Sequence, residues 1–288
     1  MMISEATRPR IAFQGERGAF SEEAVAQLLG EDVELVPCRT FEMLFTAISR
    51  GEADQALAPI ENSLAGSVHR TYDLLLEHSL YINAEVVIPI THNLIGCADS
   101  SLDGVTAVES HPVALAQCES FFAAYPKIKR IATDDTAASV RHVVETCDPT
   151  RAAIGSRRAA QLYGGLILRE HLEDHSENYT RFVLLTTMEE TAATADKLSL
   201  VLRLAHQPGA LARALDPFAR RNIDLLKIES RPIRGEPWQY HFYLDLHAST
   251  HDERVTSALC ELERQTTDVR LLGCYPAARR SVIETHHK

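Results

Sequence analysis

The feature that most constrains this chain is a change of rhythm late in its length. Before residue 186, strand-like runs alternate with helix-like ones. RIAFQG (10–15) precedes residues 20–29, whose apolar spacing is helical, and DQALAPI (54–60) precedes a helix predicted over 68–78. A long β-branched run, 81–96, comes next. VTAVES then leads into PVALAQCESFFAAY, KRIAT into TAASVRHVVE, and RAAIG into SRRAAQLY. Alternation of this kind predicts a parallel sheet with crossover helices, an α/β part. The run TTMEETAATADK (186–197) loses apolar periodicity and reads as a connection. After it the order becomes strand (KLSLVLRLA), helix (PGALARALDPFARR), strand (NIDLLKIESRP), strand (QYHFYLDL), helix (DERVTSALCELERQ) and strand (VRLLGCYP). That βαββαβ order predicts a ferredoxin-like α+β domain. The expected boundaries are 9–187 for the first domain, 188–196 for the linker and 197–277 for the second.

Several predicted strands in the first part run through a small or hydroxyl-bearing turn straight into a helix. These turns are GERGAFS (15–21), ESHP (109–112), DDT (134–136) and GS (155–156). A helix start at the carboxyl end of a parallel strand presents free N–H groups and the positive end of the helix dipole, which suits an anionic ligand. Ser, Thr and Asp also cap helices everywhere, so capping accounts for any one turn alone. Their recurrence points to one shared cleft.

Composition sets the outer limits. With 288 residues, 45% of them hydrophobic, the chain can build two ordinary cores. The start, MMISEATRPR, has no apolar signal core, and no apolar run approaches membrane-spanning length, so a soluble cytoplasmic protein is expected. The six cysteines stand singly without a C-x-x-C, which suits free thiols in a reducing compartment; His286 and His287 read as tail, and no metal is assigned. The net charge of −11 is unevenly placed. The acidic excess lies before Lys197, whereas Lys and Arg outnumber Asp and Glu after it. An acidic first part excludes nucleic acid and anionic membrane as partners and requires local donors for any anionic substrate.

Particular strings then give the chain a likeness. Gly15-Glu16-Arg17-Gly18-Ala19-Phe20-Ser21, Pro59-Ile60-Glu61-Asn62-Ser63, Glu109-Ser110-His111-Pro112 with Gln117, and Thr180-Arg181-Phe182 resemble the successive motifs of prephenate dehydratase. Pro208-Gly209-Ala210-Leu211 and Ile228-Glu229-Ser230-Arg231-Pro232 resemble the phenylalanine-sensing ACT domain that follows the catalytic domain in that family. The resemblance covers nearly the whole chain. It implies a two-lobed catalytic domain like a type II periplasmic binding protein, with the active site between the lobes. It also implies conversion of prephenate to phenylpyruvate, carbon dioxide and water in phenylalanine biosynthesis. No helical chorismate mutase segment is seen ahead of Arg10, so the monofunctional form is expected. Aromatisation supplies the driving force, and no cofactor is required.

The resemblance also suggests roles. Thr180 would hydrogen-bond or protonate the leaving hydroxyl, within a network that includes Glu61 and Asn62; a buried Glu61 would be the stronger acid. Arg181 would bind a carboxylate. Phe182, Ser63 and Arg17 join the substrate-binding set, with His92 and His111 as second-line candidates. Ser110 and Gln117 are seven apart, two turns on one predicted helix face, so both would point into one cleft. Ala19 stands where the family often has Thr. In the second domain, Gly209, Ala210 and Leu211 would offer backbone N–H groups to the carboxylate of L-phenylalanine. Glu229, Ser230, Arg231 and Pro232 would add contacts across a dimer. Asp224 and Leu226 replace the Asn and Thr common there. A homodimer or homotetramer through the ACT and catalytic domains is implied. Two other readings stay open at this point: an arogenate dehydratase, and a binding-protein-like sensor without catalysis.

Overall fold

The computed structural model describes residues 8–278. His286 and His287 lie outside them. In chain order the first elements are β1 (Arg10–Gln14), α1 (Phe20–Leu29), β2 (Glu34–Cys38), α2 (Phe41–Ser49), β3 (Gln55–Asn62), β4 (Gly66–Ser67), α3 (His69–Glu77) and β5 (Tyr81–Pro89). Next come β6 (Asn93–Gly96), β7 (Ala107–Ser110), α4 (Pro112–Ala116), α5 (Glu119–Ala124), β8 (Lys129–Ala132), α6 (Thr136–Thr146), β9 (Arg151–Gly155), α7 (Arg157–Tyr163), β10 (Leu166–Arg169) and β11 (Tyr179–Thr186). The last are β12 (Lys197–Arg203), α8 (Ala210–Ala219), β13 (Asp224–Pro232), β14 (Tyr240–His247), α9 (Glu253–Glu263) and β15 (Asp268–Tyr275). Two compact units result. One runs to Val68 and resumes over Val87–Phe182; the other takes His69–Val86 and the chain from Val183 onward.

The chain before residue 187 builds the expected two α/β lobes, one around each of two sheets. One sheet has the order β2-β1-β3-β11-β5 with β4 on β3, the other β10-β6-β9-β7-β8. The expected parallel pairing is present in both sheets, together with antiparallel pairs. β1 is parallel to β2 and β3, and β7 to β8 and β9, but β6 pairs antiparallel with both β9 and β10. The physical reason lies in the long β-branched run, which is not one strand. It breaks at residues 90–92 and passes from the first sheet to the second, so its continuation enters against the local strand direction.

The helix expected from PVALAQCESFFAAY is also two short helices. Gln117 caps α4 and Cys118 caps α5, while Phe121 and Phe122 bury against Val108, Leu115 and Ile154. Close packing fixes the turn at Gly18, where φ is +86° and an added Cβ would lie 2.8 Å from the Ala159 Cα. Only glycine lets this loop meet α7 so closely.

The second unit contains the expected βαββαβ domain, with sheet order β13-β14-β12-β15. Its strands are antiparallel throughout. Leu198, Leu200 and Leu202 alternate along β12 and join Leu244, Phe218, Val255 and Leu262 in one buried cluster. Residues 187–196 form neither helix nor strand. Among the described residues, no helix is long and apolar enough to cross a membrane.

Candidate active site

A cavity of about 370 Å³ opens in the first unit. Of the four turns singled out in the sequence, three reach it, through Ala19, Phe20 and Ser21, through His111, and through Asp134, Asp135 and Thr136. The fourth does not. Ser156 is buried, donates to the Gly18 carbonyl at 2.6 Å and caps α7 at the Ala159 N–H.

Strand β11 delivers the centre of the site, and its pleat divides the Thr180-Arg181-Phe182 motif. Side chains alternate along a strand, so Thr180 and Phe182 line the cavity while Arg181 turns to the opposite face. There Arg181 is nearly buried and stands 3.8 Å from Glu61. This corrects two expectations. Arg181 is not among the lining residues, and the Glu61 side chain is 35% exposed, without the burial that an acid role required.

Around Thr180 runs a directed chain of hydrogen bonds. The turn after β3 fixes its origin, because the N–H groups of Leu64 and Ala65 both donate to Asn62 Oδ1, at 3.0 and 2.8 Å. Asn62 Nδ2 must therefore face the other way. It donates to Thr180 Oγ1 at 2.9 Å, to Asn178 Oδ1 at 2.8 Å and to the Tyr179 carbonyl at 3.1 Å. Since Asn178 Oδ1 is the acceptor, Asn178 Nδ2 donates onward to Gln117 Oε1 at 2.9 Å. The same oxygen lies 2.8 Å from His92 Nε2, so that nitrogen carries the proton.

Every orientation in this chain follows from its neighbour, and the result is chemically specific. Thr180 accepts from Asn62, which leaves its own O–H to donate into the cavity. Gln117 accepts twice through Oε1, which leaves its NH₂ group for a ligand. His92 is 2% exposed, and burial lowers its pKa below the ordinary value although Gln117 and Glu173 act the other way. It is the neutral Nε2–H tautomer, and its Nδ1 is buried without a partner. His111 likewise uses Nδ1 as an acceptor, from the Val113 N–H at 3.2 Å.

Other predicted residues serve the frame. Ser110 ends β7 and does not begin a helix; it is fully buried and donates to the Ile154 carbonyl at 2.7 Å, so it shares no helix face with Gln117. Ser63 donates to the Glu177 carbonyl at 2.7 Å and accepts from the Tyr179 N–H at 2.9 Å, clamping β3 to the entrance of β11. Arg17 pairs with Glu22 at 3.0 Å instead of lining the cavity. Burial works against that carboxylate, yet the Gly18 N–H, Arg17 and Arg158 hold it below the usual range. Ala19 is the N-cap of α1 and offers no side-chain cap, a direct consequence of lacking the Thr hydroxyl. Asn178, 1% exposed, is the residue that sequence reasoning passed over. Its signal was present in SENYTRFVLL, but a polar residue before a strand also reads as a turn former.

With this geometry in view, the family assignment is direct. Residues 11–190 match the family model for prephenate dehydratase, and 199–264 match that for the ACT domain. The chain belongs to the prephenate dehydratase family. It is 40% identical to arogenate dehydratase/prephenate dehydratase 2, chloroplastic, from Arabidopsis thaliana, over 95% of this chain and 74% of that protein. The structure of a prephenate dehydratase from Arthrobacter aurescens in complex with L-Phe shares 34% identity, with a TM-score of 0.85 over 94% of this chain and 90% of that one. A structure described as GqqA, a quorum quenching acylase, is 32% identical, with a TM-score of 0.85 over 93% of this chain and 98% of that one.

The family's regulatory motifs lie in the second unit. Gly209 caps α8 with φ +76°, and a Cβ there would come 2.9 Å from Arg213 Nη1. Ala210 and Leu211 open α8 and pack partly against the core of this domain. Strand β13 splits its motif as β11 does. Glu229 turns toward α3, with its carboxylate 3.4 Å from His69 Nε2, and Arg231 reaches Asp73 on the same helix through two contacts of 3.1 Å. Ser230 and Pro232 are exposed on the other face with Leu226 and Ile228. Asp224 and Leu226, the departures from the family pattern, share that exposed face.

Proposed function

We propose that the chain catalyses the decarboxylating dehydration of prephenate to phenylpyruvate, with arogenate as the alternative substrate yielding phenylalanine. The ring carboxylate leaves as carbon dioxide, and the electron pair of the broken C–C bond enters the ring. The C–O bond at the opposite carbon breaks, and hydroxide departs as water once a proton reaches it. Aromatisation drives both cleavages. The enzyme holds the substrate, donates to the departing oxygen and keeps the leaving carboxylate poorly solvated.

One observation carries this reading: the Asn62 amide donates to Thr180 Oγ1 at the cavity wall, which holds the oxygen in place and leaves the hydroxyl proton available to the cavity. An alcohol is a weak acid, and Thr180 therefore acts as a donor to the developing hydroxide within the chain of amides. The same contact favours dehydration over acyl transfer, because a nucleophilic hydroxyl needs a base and Thr180 is held by an amide N–H. Phenylpyruvate release from prephenate and phenylalanine release from arogenate, by wild type and Thr180→Ala, test the proposal. A loss of about 10²-fold or more in the variant is expected. Turnover by Thr180→Ala at the wild-type rate would refute it.

L-Phenylalanine, bound near Gly209, Ala210 and Leu211 with help from residues 229–232, would provide feedback control. Strand β13 is a sheet edge that exposes Leu226 and Ile228, a surface suited to a second copy of the chain, so a homodimer or a tetramer built from such dimers fits. Size exclusion with and without phenylalanine checks that assembly. Residues 9–187 would be the catalytic domain, 188–196 the linker and 197–277 the regulator. Six free cysteines suit the cytoplasm.

A further inference from the structure

We propose that Asp134 sets substrate choice by pairing with the ammonium group of arogenate, so that the cavity prefers the amino-acid substrate to the keto acid. The inference rests on the dehydratase reading above.

A mismatch of charge carries it. Among the described residues, the cavity walls hold two carboxylates, Asp134 and Asp135, and no lysine or arginine. His92 is neutral, and His111 has its Nδ1 lone pair engaged by the Val113 N–H. Prephenate brings two carboxylates and no cation, which is a poor match for such walls. Arogenate brings the same two carboxylates and one ammonium on the side chain, which supplies the missing partner.

The two aspartates are not equivalent. Asp135 is committed to the frame, since Oδ1 accepts from the Ala138 N–H at 2.8 Å and Oδ2 lies 2.8 Å from where a Cβ on Gly15 would stand. Asp134 is exposed and makes no hydrogen bond or ion pair within the described residues. It also borders a neighbouring cavity of about 740 Å³ that holds Arg39 and Arg141, yet Arg141 is taken by Glu16 at 2.7 Å and Arg39 makes no ion pair with Asp134. Asp134 thus keeps its charge for a ligand. It stands beside Asp135, the N-cap of α6, whose own carboxylate already fills that helix start. An α-amino acid carries an ammonium on the carbon next to its carboxylate, and the free aspartate matches that ammonium. A keto acid would leave a carbonyl oxygen against the aspartate.

The test compares kcat/KM for L-arogenate and for prephenate in wild type, Asp134→Asn, Asp134→Ser and Asp135→Asn. Asparagine caps a helix about as well as aspartate, so the last variant preserves α6. Wild type should favour arogenate, and both Asp134 variants should shift the ratio toward prephenate by at least about tenfold, a modest demand for a charge pair at contact distance. Asp135→Asn should change both substrates alike. A ratio that stays put in the Asp134 variants, or a wild type that favours prephenate, overturns the inference and leaves the dehydratase reading intact. A folded wild type that turns over neither substrate removes the dehydratase reading itself, and this inference with it.

Discussion

The two strands that carry the family's motifs, β11 in the first unit and β13 in the second, solve one geometric problem in two settings. Each presents consecutive motif residues, and each has a pleat that sends neighbours to opposite faces. On β11, Thr180 and Phe182 meet the cavity while Arg181 pairs with Glu61 behind it. On β13, Ser230 and Pro232 stay exposed while Glu229 and Arg231 turn to α3. A run of motif residues on a strand therefore marks a ligand face and an anchoring face together. The settings differ in burial. The cavity side of β11 is locked into a chain of amides with fixed direction, whereas β13 lies at a sheet edge with one face open.

The largest effect is expected where that locked chain is cut without touching the cavity wall. Asn178 does not line the cavity, but it decides which end of Gln117 faces a ligand. Asn178→Ala should lower kcat/KM by about 10²-fold, comparable to losing one aligned donor. Asn178→Asp is the sharper variant. As a carboxylate it cannot donate to Gln117, so the amide turns and offers an oxygen where a donor stood. As a protonated acid it can donate again. Its activity relative to wild type should therefore recover as pH falls into the carboxyl range, while that of Asn178→Ala should not. Equal pH profiles for the two variants would reduce Asn178 to a packing residue and break the contrast with β13.

On the open strand the effects are smaller. Gly209→Val places a side chain at φ +76° and should cost about 1–2 kcal/mol in stability while abolishing the phenylalanine response. Retention of full inhibition would exclude the α8 start as the effector site. Arg231→Met and Asp73→Ala, singly and together, measure the anchor; a coupling of about 1 kcal/mol is expected for this half-buried bidentate pair. Ser230→Ala, on the opposite face, should leave stability within about 0.5 kcal/mol and weaken the phenylalanine response. If Ser230→Ala destabilises as much as Arg231→Met, the two faces of β13 do not divide their work as those of β11 do.

Sequence alone revealed the parts of this molecule that depend on local pattern. The alternation of strands and helices, the connection after β11 and the second domain's βαββαβ order all rest on periodicity, and periodicity is local. What it missed depends on where the chain goes next. Gln117 was placed seven residues along a single helix from Ser110, but the helix breaks at Cys118, where Phe121 and Phe122 need to bury. The resemblance places Arg181 and Thr180 on one ligand, although a strand's pleat sends them to opposite faces. Asn178 gains its meaning only when β3 and β11 lie side by side, and no spacing rule connects residues 62, 117 and 178.

The smallest expected effect tests the far end of the amide chain. Burial lowers the pKa of His92 in the folded protein, with Gln117 and Glu173 opposing, while the unfolded chain keeps the ordinary value near 6.5. Below that value the unfolded state binds more protons than the folded one, so His92 makes the protein less stable as pH falls and has no such effect well above it. At pH 6 the loss is no more than about 0.8 kcal/mol. His92→Gln keeps an N–H for Gln117 Oε1 but cannot titrate. Denaturant midpoints at pH 6 and pH 8 should therefore lie closer together in the variant than in wild type. An unchanged difference would mean that His92 is protonated in the fold. Its Nδ1 would then be a buried donor, and the neutral tautomer read from the direction of the Asn62, Asn178 and Gln117 amides would have to be given up.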